Sequence, residues 1–162
     1  MKYYPKGTEI VCLDPNSRAE SYIQEKVDDC NLTLKAFVKG FAENMEQLPD
    51  DSCDAVVSTL VLCSVRDPKA ALSEIKRVLK PGGKFYFLEH VAGNKGGFVQ
   101  KFQNCVDPAW KYVTGGCSVT RETWKEIDSA GFSKVDLIKF TAPSILRAVV
   151  PLRPFIVGTA EK

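Results

Sequence analysis

Histidine is almost absent from this 162-residue sequence, and its six cysteines follow no metal-binding spacing. His90 is the single imidazole, and no two cysteines form a C-x-x-C pair. Most structural zinc sites combine such pairs with further cysteine or histidine ligands. The sequence therefore predicts no metal site. No secretory signal precedes the cysteines, so we expect them to be reduced thiols in a reducing compartment.

The sequence also lacks an excess of one charge and a long apolar run. Its net charge is +2, and no run of lysine or arginine is typical of a nucleic-acid surface. The longest apolar stretch, 55–65, is interrupted by Ser58, Thr59 and Ser64. That stretch is shorter than the roughly 20 residues of a membrane span. We therefore expect no nucleic-acid partner, no membrane span in this chain and a cytoplasmic location.

The composition and the periodicity are those of a globular α/β protein. Apolar residues make up 44% and charged residues 26% of the chain, which suits a single packed domain over 1–162. Strand-like and helix-like patterns alternate, which predicts an open, doubly wound, mostly parallel sheet with an antiparallel strand near the C-terminus. The predicted strands are 8–13, 32–38, 53–62, 85–91, 132–140 and 153–160, and the predicted helices are 18–27, 68–80, 98–112 and 120–130.

Polar residues follow the first two predicted strands, at the sheet edge where open α/β folds bind ligands. Asp14 can accept hydrogen bonds from ribose hydroxyls there, although Asp-Pro-Asn is also good turn chemistry. Ala42-Glu43-Asn44 places a carboxylate beside apolar residues, which suits a flat base with an exocyclic amine. An ordinary surface loop is the alternative for this second segment.

The next two strands end in an apolar segment and in the single histidine. Leu60, Val61 and Leu62 can form one wall of a ligand slot, or they can be plain core. An imidazole can accept a proton near neutral pH, which makes His90 a candidate proton acceptor. A hydrogen-bonded histidine without a catalytic role is the alternative. The aromatic residues of the helix over 98–112 suggest a small lipophilic substrate, or simply a packed helix face.

Three segments, in this order along the chain, resemble the type-11 branch of the class I S-adenosylmethionine-dependent methyltransferases, which have a Rossmann-like fold. Residues 42–44, with Leu48-Pro49, look like the adenine loop of that superfamily. Residues 51–62 look like its fourth strand. Leu79-Lys80-Pro81-Gly82-Gly83-Lys84-Phe85 resembles its late motif after an amphipathic helix.

A closer resemblance extends to the C-terminal half of the chain. Five segments resemble the methyltransferase-like protein 7 family, whose members are thiol S-methyltransferases. They are Cys12-Leu13-Asp14-Pro15-Asn16, 59–65, Glu89-His90-Val91, Asp107-Pro108-Ala109-Trp110 and 120–125. The resemblance implies methylation of small lipophilic thiols with S-adenosyl-L-methionine as cofactor. For a full-length member it also implies association with the endoplasmic reticulum membrane or the lipid-droplet surface through an N-terminal segment.

The resemblance also implies roles for individual residues. Cofactor binding is expected at Asp14, Pro15, Asn16, Ala42, Glu43, Asn44, Leu60, Val61 and Leu62. We place Trp110 and Trp124 on the substrate side, and His90 is the candidate catalytic residue.

The family pattern begins further upstream than this sequence does. It has a strand and a glycine-rich loop before the segment that matches Lys2-Tyr3-Tyr4, whereas the sequence starts at Met1. We therefore expect an N-terminally truncated domain, whose sheet lacks the strand between those at 8–13 and 53–62. A catalytically inactive fragment with a binding or regulatory role is the alternative to an active methyltransferase.

Overall fold

A computed structural model describes residues 4–142 and 153–162 as an α/β fold. Lys2 and Tyr3 of the family-matching segment lie outside these residues. The elements, in chain order, are β1 (Glu9–Leu13), α1 (Ala19–Asp28), β2 (Thr33–Val38), β3 (Cys53–Thr59), α2 (Pro68–Val78), β4 (Leu79–His90), α3 (Phe98–Val113), α4 (Thr123–Ser129), β5 (Lys134–Thr141) and β6 (Pro154–Glu161).

The described strands form two sheets. In the small sheet β1 pairs with β2 in parallel, and in the large sheet the strand order is β3-β4-β6-β5. Strands β3 and β4 are parallel, whereas β6 is antiparallel to both of its neighbours. The predicted fold class is confirmed, including its antiparallel C-terminal part. No described strand pairing joins the two sheets, and the missing strand between 8–13 and 53–62 stays a prediction.

Local sequence signals explain helix α2. The carboxylate of Asp67 accepts hydrogen bonds from the backbone amides of Lys69, at 2.9 Å, and Ala70, at 3.2 Å. Pro68 occupies the first turn, where no amide hydrogen is needed. The buried side of the helix is made of Ala71, Leu72, Ile75 and Val78, as its apolar spacing predicted.

Pro81-Gly82-Gly83, a typical helix stop, lies within strand β4. The helix has already ended at Val78, and Leu79 is extended and pairs with Cys53. The pairing then shifts, so that Ala55 faces Lys84 and the intervening residues are accommodated as an irregularity of the strand. At Gly83 a Cβ would lie 2.8 Å from a backbone oxygen, so only glycine fits this close approach.

Two other element ends differ from the prediction by three residues. Strand β3 ends at Thr59, three residues early, because Leu60 has a positive φ of 59° that is incompatible with a strand. Helix α4 begins at Thr123 instead of Thr120. None of the described helices is long and apolar enough to cross a membrane.

The core lies on one face of the large sheet. Phe85 and Ile156 of this face are fully buried, together with Ile127 of α4, and the apolar side of α2 belongs to the same cluster. The opposite face presents Val57 and Ile138, whose exposed fractions are 51% and 67%. The carboxyl ends of β1 and β3 and the C-terminal end of β4 carry the residues of interest for function.

Candidate active site

Asp14 closes the turn after β1. Its Oδ1 accepts a 2.7 Å hydrogen bond from the amide of Asn16, and its own amide donates to the carbonyl of Val38 at 3.1 Å. Pro15 and Asn16 are exposed. The predicted turn therefore forms, but no hydrogen bond within the described residues uses the second carboxylate oxygen of Asp14, which leaves one acceptor for a ligand.

Glu43 carries an unpartnered acceptor in the loop after β2. Its Oε1 accepts a 2.7 Å hydrogen bond from the amide of Arg66, whereas its Oε2 is buried and without a hydrogen bond. A buried oxygen without a donor costs about 1–3 kcal/mol, so a donor from a ligand is favourable there. Ala42 packs against the core, and Asn44 is exposed, with its side chain accepting from the amide of Glu46.

The segment after β3 divides between surface and core. Leu60 and Val61 are each 41% exposed, whereas Leu62 is fully buried in the core. Two of these three predicted cofactor residues therefore reach the surface at the carboxyl end of β3. Leu62 supports them from below.

Glu89, for which the sequence pattern predicted no role, holds this segment in place. Its fully buried carboxylate accepts hydrogen bonds from the Ser58 hydroxyl at 2.7 Å and from the amides of Val61 at 3.1 Å and Cys63 at 3.3 Å. Burial raises the pKa of Glu89, and these hydrogen bonds, with one from the Leu62 amide, oppose that rise. The sequence signal for this role was a single carboxylate within the otherwise apolar predicted strand 85–91.

Arg121 fixes the same segment from the other side. Its guanidinium donates to the carbonyl oxygens of Leu62, at 2.5 Å, and Val65, at 2.8 Å. The segment after β3 is thus held at its amides by Glu89 and at its carbonyls by Arg121. This arrangement makes it a rigid wall of the candidate site.

His90 lies beside two cysteines. Its Nδ1 is 3.7 Å from the Sγ of Cys117, which is 3.3 Å from the Sγ of Cys63. The contact with Cys63 has the largest effect on the Cys117 thiol and lowers its pKa. Contacts with His90 and Trp110 also lower this pKa, whereas burial raises it. The same contact, together with burial, raises the pKa of Cys63.

The structure brings Trp110, but not Trp124, to this place. The Trp110 Nε1 is buried near Cys117 without a hydrogen bond of ordinary geometry. Trp124 packs against the core, and the Lys139 ammonium lies 3.3 Å from the centre of its ring. This is a cation–π contact. The substrate-side role of Trp124 stays a prediction.

Comparison with known proteins defines the class. A family model described as a methyltransferase domain matches residues 1–87. The chain belongs to this methyltransferase domain family, type 11, as the sequence predicted.

Two curated relatives are similar over nearly the whole chain. Thiol S-methyltransferase TMT1A of Homo sapiens is 43% identical and thiol S-methyltransferase TMT1B of Rattus norvegicus is 41% identical, each over 162 residues. Each alignment covers 99% of this chain and 65% of the relative. The chain thus spans slightly less than two thirds of the length of these curated relatives.

Solved structures share the fold. A SAM-dependent methyltransferase from Methanosarcina mazei has a TM-score of 0.69 at 22% identity, with 96% of this chain and 82% of that chain covered. The YcgJ protein from Bacillus subtilis has a TM-score of 0.65 at 17% identity, with the same coverage. These likenesses bear on the fold, which is that of class I methyltransferases.

Proposed function

We propose that this chain contributes the cofactor and acceptor sides of an S-adenosylmethionine-dependent methyltransferase that acts on small lipophilic thiols. The observation that carries the proposal is its similarity to thiol S-methyltransferases, at 40–43% identity over 99% of the chain. No observation on the fold or the site favours the alternative of an inactive binding fragment.

The cofactor side suits an adenosine moiety. The unpartnered Oε2 of Glu43 is an acceptor for the exocyclic amine of an adenine, and half-buried Ala42 offers an apolar surface to its ring. The free carboxylate oxygen of Asp14 is an acceptor for ribose hydroxyls. Pro15, Asn16 and Asn44 flank these acceptors and complete the proposed cofactor side.

The main task of the acceptor side is to align the thiol with the methyl group of the cofactor. S-adenosylmethionine supplies, when bound, a methyl group on a positively charged sulfur. The methylated product of a thiolate is neutral, so orientation contributes more than charge stabilisation. Leu60 and Val61 provide an exposed apolar wall whose backbone is held by Glu89. The exposed, stacked rings of Phe98 and Phe102 on α3 favour a lipophilic acceptor.

His90 stays a predicted catalytic residue. A thiol has an ordinary pKa of about 8.5, so a proton acceptor is helpful near neutral pH without being obligatory. The membrane or lipid-droplet association implied for a full-length family member likewise stays a prediction.

Cofactor binding is tested by calorimetric titration of the chain with S-adenosylhomocysteine. We expect micromolar binding, weakened roughly 10-fold or more by Glu43→Gln or Asp14→Asn, because each removes a charged acceptor worth about 1.5–3 kcal/mol. Glu46→Gln is the control, since Glu46 lies exposed in the same loop. Equal affinities for the Glu43→Gln, Asp14→Asn and Glu46→Gln variants would contradict the proposed cofactor side.

The acceptor class is tested separately with a small lipophilic thiol and its matching alcohol. We expect a mass increase of one methyl group on the thiol alone, because sulfur ionises near neutral pH and a hydroxyl does not. Methylation of the alcohol but not of the thiol would refute the thiol assignment while leaving the cofactor side intact.

A further inference from the structure

Three soft metal ligands from separate parts of the chain meet at the end of the large sheet. Cys63 follows β3, His90 ends β4 and Cys117 lies between α3 and α4. One ligand atom from each lies within 4.8 Å of the other two. Zinc sites are predicted from ligands that lie close together in the sequence. Because 54 residues separate the two cysteines, their spacing does not indicate this cluster.

The distances match a tetrahedral site. With Zn–S bonds of about 2.3 Å and Zn–N bonds of about 2.0–2.1 Å, tetrahedral ligands lie roughly 3.8 Å apart for two sulfurs and roughly 3.5 Å apart for sulfur and nitrogen. The observed separations are 3.3 Å between the sulfurs of Cys63 and Cys117 and 3.7 Å from Cys117 to Nδ1 of His90. The third separation, between the ligand atoms of Cys63 and His90, is at most 4.8 Å. We propose that Cys63, His90 and Cys117 bind a zinc ion, with water as the fourth ligand.

Charge balance favours a thiophilic divalent cation. Two thiolates neutralise its charge, and the imidazole is a neutral ligand, so the complex carries no net charge in a place where both cysteines are buried. Sulfur and imidazole ligands suit zinc, whereas magnesium and calcium prefer oxygen. The chemistry of the donor set therefore selects the class of ion.

Neighbouring contacts already hold the ligands in position. The amide of Ser118 donates to the carbonyl of Cys63 at 2.9 Å and joins the two cysteine-bearing segments. Glu89 accepts from the amide of Cys63, and the ring of Phe155 packs 4.5 Å from that of His90. Such supporting contacts orient metal ligands. An ion at this site binds Nδ1 of His90. His90 is then a metal ligand and not the proton acceptor that the sequence predicted.

Cobalt titration of the metal-free, anaerobically reduced chain tests the site without any measurement of activity. We expect one equivalent of Co²⁺ to give a thiolate-to-cobalt charge-transfer band in the near ultraviolet and visible bands of tetrahedral coordination. Zn²⁺ should abolish both, and Mg²⁺ should not. This proposal does not rest on methyl transfer, so its failure would leave the proposed function untouched.

Variants identify the ligands. Cys63→Ser, Cys117→Ser and His90→Gln should each lower cobalt affinity at least ~10-fold. Cys105→Ser is the matched control, because Cys105 is exposed on α3, and circular dichroism verifies that each variant is folded. The proposal is overturned by an absence of stoichiometric binding, by cobalt spectra without a thiolate band, or by equal affinities of the Cys117→Ser and Cys105→Ser variants. A Cys63–Cys117 disulfide that forms in place of cobalt binding also overturns it.

Discussion

The two sheets of this protein differ in how they are supported. In the large sheet, β4 alternates from Gly83 onward, so that Phe85, Phe87 and Glu89 are buried. In the small sheet, β1 and β2 contain no buried residue, and the buried side chains between them in the sequence are Val27 of α1 and Leu32. Yet Asp14, the proposed ribose ligand, follows the small sheet. We therefore expect the two parts of the proposed cofactor side, the segment after β3 and the turn after β1, to differ in stability.

The largest expected effect belongs to the core of the large sheet. Phe85→Ala should lower the free energy of unfolding by about 3–5 kcal/mol, because the ring is fully buried and contacts Phe87 and Phe132. Urea denaturation measures this change. Tyr86→Ala on the exposed face is the control and should cost much less. Similar losses for both variants would mean that the two faces are equally supported.

Replacement of Glu89 should have the next largest effect. Glu89→Gln keeps the size of the side chain but substitutes an amide group for one of two buried acceptor oxygens, so it should cost about 1–3 kcal/mol. Amide hydrogen exchange should accelerate at Val61 and Cys63 in particular. Partly exposed Glu122, replaced in the same way, provides a reference. Unchanged exchange at both amides would show that the Glu89 carboxylate does not hold the segment.

The smallest effect should occur under the small sheet. Val27→Ala removes two buried methyl groups and should cost about 1–2 kcal/mol. Hydrogen exchange should accelerate in β1 and β2 and stay unchanged in β4, because the sheets share no described hydrogen bonds. Equal acceleration in β4 would show that the two sheets open as one unit and would remove the difference between them.

Much of the fold was predictable because its signals are local. The cap at Asp67, the proline after it and the apolar spacing of α2 all lie within one helix, and the structure agrees with each. The errors arose where pairing overrides local preference. Pro81-Gly82-Gly83 is a typical helix stop, but the pairing of Leu79 with Cys53 makes it part of a strand.

The candidate site was predictable in part, for the same reason. Asp14 and Glu43 follow predicted strands, and each retains an acceptor oxygen without a described partner, as a ligand-binding role requires. Glu89 was missed because its alternation with apolar residues gives no hint of the amides that it binds. Trp124 is close in sequence to residues of the site, but its ring contacts the Lys139 ammonium. Its position follows from helix packing, which no short motif encodes.

Sequence alone determined the α/β class and the methyltransferase family, because alternation and motif order are properties of neighbouring residues. Only the tertiary structure decided that Cys63, His90 and Cys117 meet, across 27 and 54 residues of chain. Their meeting depends on the parallel pairing of β3 with β4 and on the hydrogen bond from Ser118 to Cys63. A sequence whose cysteine spacing predicts no metal site thus brings together the three side chains of the proposed zinc site, because ligand distance is set by packing and not by separation along the chain.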